Sequence, residues 1–330
     1  MAQIKLSGIL NMIGDFDSIR PTLRALNAQT ARQDFELIIV ALSTKAATID
    51  PEQLKDLGAY QIVQVESLPS GVHGWSKGIL VAQAPIVVMC EDHSFPASNW
   101  AQTLIDAHNE GDYFAVCPAI TNGNPRTRTS WANFILSFVE WFSPDESKPV
   151  ISGAGHNTSY KRELLLADYG GNLENWLNPE RMMHLDLAAR GKKILLDART
   201  STAHVNISQP AGYFGMSYCG GRVFGGSRAA NWPMSRKLFY AVLFPLVPFI
   251  RLRRLLPYFN TPQKRRDARL LSTLPLIMIG LFCHAFGEAV GYLAGNESIT
   301  RAYTNYELNR SNYVTSAELA EIWGGSGRSS

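Results

Sequence analysis

The apolar run Pro85-Ile86-Val87-Val88-Met89-Cys90 ends in Glu91-Asp92-His93, two carboxylates and an imidazole at the tip of a strand-like segment. In an open α/β sheet ligands collect beyond the carboxyl ends of the strands, so acids placed there face a crevice. Two acids and a histidine can hold a divalent cation, and such a cation can hold a diphosphate. The implied chemistry is metal-assisted, with a nucleotide as the carrier of the diphosphate. The same three residues also suit a polar turn that caps the next helix, and the rest of the chain must decide between the two.

To present these side chains at one edge the chain needs a parallel sheet, and its N-terminal part alternates accordingly. Residues 4–10 read as a strand, 18–29 as a helix through Ile19, Leu23 and Leu26, and 35–41 as a second strand. A short helix over 51–57, a third strand over 61–65 and a helix over 74–84 lead into the strand 86–90. An amphipathic helix over 100–110, with Ser98 or Asn99 as its cap, and a strand over 114–120 follow. There is no internal repeat of 20–50 residues.

A chain of 330 residues with 46% apolar content buries a full core, enough for one large domain and an appendage. Its four cysteines, Cys90, Cys117, Cys219 and Cys283, lie far apart without metal-ligand spacing, which suits reduced thiols on the cytosolic side. The N-terminal residues lack the basic start and apolar middle of a secretory leader, and the last seven, Gly324 to Ser330, read as a flexible tail. Net charge is +3, yet residues 236–269 carry nine Lys or Arg against the single acid Asp267, a local +8 that leaves −5 on the remainder. Apolar sequence flanks that charge: residues 238–250, broken by Pro245 and Pro248, and the nearly charge-free 270–293. Basic clusters beside apolar segments read as a surface for anionic membrane lipids. Nucleic acid is disfavoured, because the neighbouring apolar residues are largely aliphatic. The first segment is too short to span and should lie in the interface. The second is long enough to span, although Pro275, His284 and Glu288 also suit a re-entrant or protein-packed helix. The positive-inside rule puts Arg251-Leu252-Arg253-Arg254 and Lys264-Arg265-Arg266 on the cytoplasmic face.

Taken in order, several segments resemble the inverting family 2 glycosyltransferases. They are the opening strand-helix-strand, Trp75-Ser76-Lys77-Gly78-Ile79, the Glu91-Asp92-His93 triplet with Pro96 and Trp100, the Gly153-Ala154-Gly155-His156-Asn157-Thr158-Ser159-Tyr160-Lys161-Arg162 segment, and the stretch from Arg190-Gly191 to His204. The resemblance spans residues 4–230 and includes a subgroup with an acid-Asp-His triplet in place of Asp-x-Asp. It implies a GT-A fold, α/β and Rossmann-like with a mostly parallel sheet, followed by a C-terminal membrane-associated helical region. It also implies transfer of a sugar from a nucleotide-diphosphate donor to a lipid-linked, polysaccharide or other surface-glycan acceptor.

Carried over residue by residue, the resemblance makes Glu91 and Asp92 donor-binding, with Asp92, His93 and His204 as ligands of Mn²⁺ or Mg²⁺. His93 stands where the family usually has Asp, which suits Mn²⁺ better than Mg²⁺. Glu180 matches the general base, with Asp186 as the second candidate, and the usual acidic pair is here Pro179-Glu180. A Glu just after Pro at a helix start is also favourable without any catalytic role. His156 and Asn157 match the acceptor side, where glycines allow close approach; a tight turn before a strand explains the same residues. Arg222 could meet donor phosphates as a guanidinium fork or feed the basic membrane patch.

The chain departs from the family at Val40-Ala41-Leu42-Ser43, where an Asp usually reads the base, at Trp75, which replaces an Arg, and at Ile9-Leu10-Asn11-Met12, which replaces a Pro-Thr-Tyr-Asn turn. A Gln-x-x-Arg-Trp motif is absent, which argues against a processive synthase. Two other classes remain: a catalytically inactive membrane-bound scaffold, and a nucleotidyltransferase, for which only Gly14 offers a glycine in the loop after the first strand. The expected division is a GT-A domain over 1–232, basic apolar membrane-associated helices over 233–295 and a tail over 296–330.

Overall fold

The computed structural model describes residues 3–177 and 180–324. The chain forms two compact units, Met1–Thr121 with Trp141–His204, and Asn122–Glu140 with Val205–Ser330.

The first unit is built on a nine-stranded sheet among the described residues: β1 (Leu6–Met12), β2 (Phe35–Leu42), β3 (Ala59–Val65), β4 (Ile86–Cys90), β5 (Ser94–Pro96), β6 (Ala115–Asn122), β7 (Lys148–Val150), β8 (Ser159–Lys161) and β9 (Ile194–His204). The spatial order is β3-β2-β1-β4-β8-β6-β9-β5, with β7 also on β9. Strands β3, β2, β1 and β4 are parallel, as the alternating sequence requires. Strand β8 runs antiparallel to β4 and β6, and β5 and β7 run antiparallel to β9.

Its helices are α1 (Phe16–Asn27), α2 (Ser43–Ala46), α3 (Gly71–Val81), α4 (Trp100–Glu110), α6 (Arg162–Tyr169), α7 (Leu173–Trp176) and α8 (Glu180–Ala189). Successive strand side chains point to opposite faces. Leu10, Met12, Leu37, Ile39 and Val88 therefore join Ile19, Leu23 and Leu26 of α1 and Leu104 of α4. Ile9, Ile38, Val40, Val87 and Met89 join Trp75 and Ile79 of α3 and Leu187 of α8. With both faces covered, β1 and β4 are buried along their whole length and β2 as far as Ala41, whereas the edge strand β3 alternates and leaves Tyr60 and Ile62 exposed. Helix α3 begins three residues before the expected 74, because the Ser70 hydroxyl accepts from the His73 N–H at 3.2 Å and caps it. It crosses β1 so closely that a Cβ on Gly78 would strike the Ile9 side chain.

The second unit is helical: α5 (Arg128–Phe138), α9 (Pro210–Arg228), α10 (Met234–Val242), α11 (Val247–Leu255), α12 (Pro262–Asp267), α13 (Leu270–Ala294), α14 (Glu297–Leu308) and α15 (Ser316–Trp323). Helices α9 and α13 meet backbone to backbone. A Cβ on Gly221 or Gly225 would strike the carbonyls of His284 and Glu288, and one on Gly287 or Gly291 the carbonyls of Tyr218 and Arg222. Small residues four apart on both partners permit that approach. This pairing places α9 with the helices, as α5 is, whereas the expected boundary at residue 232 puts both with the sheet.

Among the described residues α13, with 25 residues, is the one helix long and apolar enough to cross a membrane. Its Glu288 is 4% exposed. Arg251 donates to it at 2.7 Å, Arg228 lies 3.7 Å away and the Tyr292 hydroxyl donates to its other oxygen. An acid that is costly among apolar residues is thus matched with charge. Leu238, Phe239, Val242, Leu246, Phe249 and Ile250 are each at least half exposed.

Candidate metal centre

Three segments, distant in sequence, meet at the carboxyl end of β4. The first is the strand's own tip, where the chain leaves Cys90 and turns through Glu91, Asp92 and His93 into β5. Backbone carbonyls fix this turn: the Trp75 indole donates to Cys90 O at 3.0 Å, and the Thr22 hydroxyl donates to Glu91 O at 3.0 Å. The Cys90 thiol points instead into the core packed by α1 and α4. Burial, with the Glu91 carboxylate beside it, pushes its pKa up to about 12, so it stays neutral.

The second segment is the loop before β8. Pairing of β8 against β4, Ser159 opposite Val88, brings this loop over the strand end. Asn157 locks it there. Its N–H donates to Met89 O at 2.7 Å and its side-chain amide to the Ser94 hydroxyl at 2.8 Å, with the backbone left-handed at φ 60°. Asn tolerates that region better than most residues. His156, the preceding residue, is thereby set beside Glu91. The third segment is the end of β9, where the β5–β9 register puts His204 opposite Ser94.

The geometry is compact. His204 Nε2 lies 3.5 Å and His93 Nε2 3.6 Å from Glu91 Oε2, and His156 Nδ1 lies 3.8 Å from Glu91 Oε1. Ring centroids of His93 and His156 are 4.9 and 5.0 Å from that of His204. Asp92 Oδ1 sits 2.6 Å from His93 Nδ1. A carboxylate on one ring nitrogen makes that nitrogen the protonated one and leaves the other, Nε2, as a lone-pair donor facing the cluster.

Glu91, His156 and His204 each offer a donor atom, all within 4.8 Å of one another. Their side chains are 13%, 12% and 2% exposed. Glu91 Oε2 is buried and makes no hydrogen bond among the described residues. Bond lengths near 2.1 Å place two ligands of one cation about 3–3.5 Å apart, so the buried carboxylate with the His204 imidazole at 3.5 Å fits a bound divalent ion, and His156 at 3.8 Å stands as the third donor. Two imidazoles and a carboxylate suit a first-row transition metal and are compatible with Mn²⁺, while Mg²⁺ favours an all-oxygen set.

The residues singled out from the sequence lie in different places. Of the residues read as ligands, His204 lies in the cluster, His93 borders it and Asp92 bonds to His93. Glu91, read as donor-binding, and His156, read as acceptor-binding, supply the other donor atoms. Asn157 holds the loop backbone. Glu180 opens α8, and its side chain lies outside the described residues, as does Pro179. The Asp186 carboxylate accepts from the Tyr169 hydroxyl at 2.6 Å and pairs with Arg190 Nε at 3.1 Å. Arg222 belongs to the helical unit, where it donates to Gly295 O at 3.2 Å and the Ser298 hydroxyl at 2.9 Å. Thr22 escaped the sequence reading altogether, because a hydroxyl that grips a distant backbone carbonyl leaves no local pattern. Trp75 is read there as part of the Trp75–Ile79 segment and as a replacement for Arg, not as the group that holds Cys90 O.

No family model matches the chain, and no curated protein matches it. Among solved structures, a 1–349 fragment of S. aureus TarS in complex with UDP aligns at 13% identity over 61% of this chain and 60% of that one, with a TM-score of 0.46. GalNAc-T7 with UDP, GalNAc and Mn²⁺ aligns at 14% identity over 62% and 43%, with a TM-score of 0.47. The same TarS fragment in complex with UDP-GlcNAc aligns at 15% identity over 61% and 58%, with a TM-score of 0.43. The chain spans less than two thirds of the length of each of these structures. At these identities and scores the likeness is to part of a chain trace, and the chemistry of the site rests on this chain's own residues.

Proposed function

We propose that this chain is a metal-dependent, inverting glycosyltransferase of GT-A type that uses a nucleotide-diphosphate sugar. The observation that carries the reading is the buried Glu91 carboxylate ringed by His93, His156 and His204 at the carboxyl end of a parallel strand. Such strand ends are where open α/β sheets bind nucleotides. Glu91, His156 and His204 would hold the cation, and Mn²⁺ there would supply Lewis-acid stabilisation of the leaving diphosphate. Asp92 sets the tautomer of His93, and Thr22, Trp75 and Asn157 fix the backbone that carries these groups. Glu180 is assigned as the general base. Its carboxylate takes the proton of an acceptor hydroxyl as that oxygen bonds to the anomeric carbon and the bond to the diphosphate breaks, inverting the carbon.

The reading extends to the membrane. The exposed apolar residues of α10 and α11 and the basic runs at 251–254 and 264–266 support association with the cytoplasmic face, and so an acceptor that is lipid-linked or part of a surface glycan.

The test is nucleotide release from a panel of uridine and guanosine diphosphate sugars, with Mn²⁺ or Mg²⁺ and with membrane extract as acceptor source. Turnover supported by Mn²⁺ above Mg²⁺ is expected, lost in His204→Ala and reduced about 10²–10⁴-fold in Glu180→Gln with donor binding retained. Absence of both donor binding and turnover across the panel refutes the assignment. Donor binding without transfer, indifferent to Glu180→Gln, makes the chain an inactive scaffold.

A further inference from the structure

On the helical unit, Arg228 at the end of α9 and Arg236 in α10 converge on one indole. The Arg236 guanidinium lies 4.2 Å and that of Arg228 5.1 Å from the Trp232 ring centroid. Both also lie over Tyr240, at 5.9 and 5.3 Å. Trp232 in turn packs on Tyr240 and Tyr292, centroids 5.0 and 5.5 Å away. The aromatic floor holds two like charges close together, and little opposes them. Glu288 is the carboxylate of the cluster, and Arg251 takes its Oε2 at 2.7 Å while the Tyr292 hydroxyl donates to Oε1. That leaves Arg228 a distant share of it at 3.7 Å. Arg236 is exposed and makes no hydrogen bond or ion pair among the described residues. His284 accepts from Arg251 at 2.6 Å and adds no charge. Arg251 and Arg228 thus share one carboxylate and Arg236 has none, which leaves two positive charges in excess beside an aromatic platform.

The surroundings name the kind of anion. Leu238, Phe239 and Val242, on the same helix as Arg236, are 50%, 61% and 74% exposed. A Trp and two Tyr beside bare apolar side chains and uncompensated guanidinium groups match the headgroup level of a bilayer, where aromatic rings sit and Arg meets phosphate. Guanidinium forks suit the planar pairs of phosphate oxygens, and the rings beneath them pre-orient the forks. We infer that Arg228, Trp232, Arg236 and Tyr240 form a headgroup site that takes the phosphate of an anionic membrane lipid. The inference rests on the membrane-associated reading above and assigns it to these residues.

The test is co-sedimentation of the full chain with phosphatidylcholine vesicles, with and without phosphatidylglycerol. Arg236→Lys keeps the charge and touches only the Trp232 and Tyr240 contacts, so a diffuse basic patch would not register it, whereas a built site does. The expected result is roughly two- to fivefold weaker binding to the anionic vesicles for Arg236→Lys, from the guanidinium–ring contacts it loses, and about 30-fold for Arg228→Gln/Arg236→Gln, from the two cations removed at the surface. An unchanged thermal melt separates lost binding from lost folding. Wild-type binding by a folded Arg236→Lys, with the folded double Gln variant also near wild type, overturns the site while leaving membrane association intact. Failure of the wild-type chain to bind either vesicle removes membrane association itself and the site with it. Displacement from vesicles by inorganic phosphate at constant ionic strength reassigns the site to free phosphate and overturns the lipid.

Discussion

Asp92→Asn separates two roles that the same residue could play in the candidate metal centre. In the structure its Oδ1 lies 2.6 Å from His93 Nδ1, while Glu91, His156 and His204 are the groups whose donor atoms converge. If Asp92 acts by fixing the His93 tautomer, an amide weakens the interaction and lets the ring present the wrong nitrogen to Glu91. Loss of a carboxylate that orients a ligand histidine lowers metal affinity 10–100-fold, about 1.4–2.8 kcal/mol; His93 borders the donor set, so a loss near the lower figure is expected. His204→Ala, which removes a donor atom 3.5 Å from Glu91 Oε2, should cost more than that upper bound. Titration of the metal-free chain with Mn²⁺, followed by calorimetry or by the spin signal of free ion, gives both numbers without any substrate. The order wild type, then Asp92→Asn, then His204→Ala is expected. Equal losses in the two variants would make Asp92 a direct ligand, and an unperturbed Asp92→Asn would remove the positioning role.

Two further outcomes follow from burial and backbone packing. His108 and His184 are buried, and desolvation drives each down to about 4 from an ordinary value near 6.5. Because the folded values are lowered, the neutral forms are fully stabilising above about pH 6.5, and that stability is lost as pH falls through the window down to about 4. Urea melts between pH 7 and 4.5 should lose up to about 1.4 kcal/mol per pH unit per histidine, and His184→Gln should flatten that slope; an unchanged slope refutes the assignment. Gly287→Ala would gain about 1 kcal/mol in an ordinary helix, yet here its Cβ would strike the Tyr218 carbonyl. Net destabilisation of about 1–3 kcal/mol is expected, and a more stable protein by denaturant melt would mean that α9 and α13 do not pack this closely.

The parallel half of the sheet was legible because buried strands leave a continuous apolar signature, and β4 coincides with the expected 86–90. The acids at its tip were legible for the same reason, since polar residues directly after such a run have few places to go. The assembly of the site was not. His156 and His204 reach Glu91 only through antiparallel pairings, β8 on β4 and β5 on β9, and no spacing rule joins residues brought together by such register. The unit boundary was hidden too. Helix α9 is rich in glycine and aromatics and has no clean amphipathic period, so nothing local marks it as the partner of α13, which begins 42 residues after it ends. The acid at 288 looked out of place because its cations, Arg228 and Arg251, come from two other helices.

The division of the chain bears on how it can be cut. Each unit is stitched from two separate stretches, so the polypeptide passes from one to the other at residues 122, 141 and 205. Cleavage after His204, an obvious way to obtain the sheet without its apolar partner, would still carry α5 along. That helix buries Trp131, Phe134 and Ile135, and it packs on α13, which the cut discards. The fragment would display a fresh greasy stripe and invite self-association. A piece that carries the sheet alone requires excising 122–140 as well and rejoining the ends with a short polar linker.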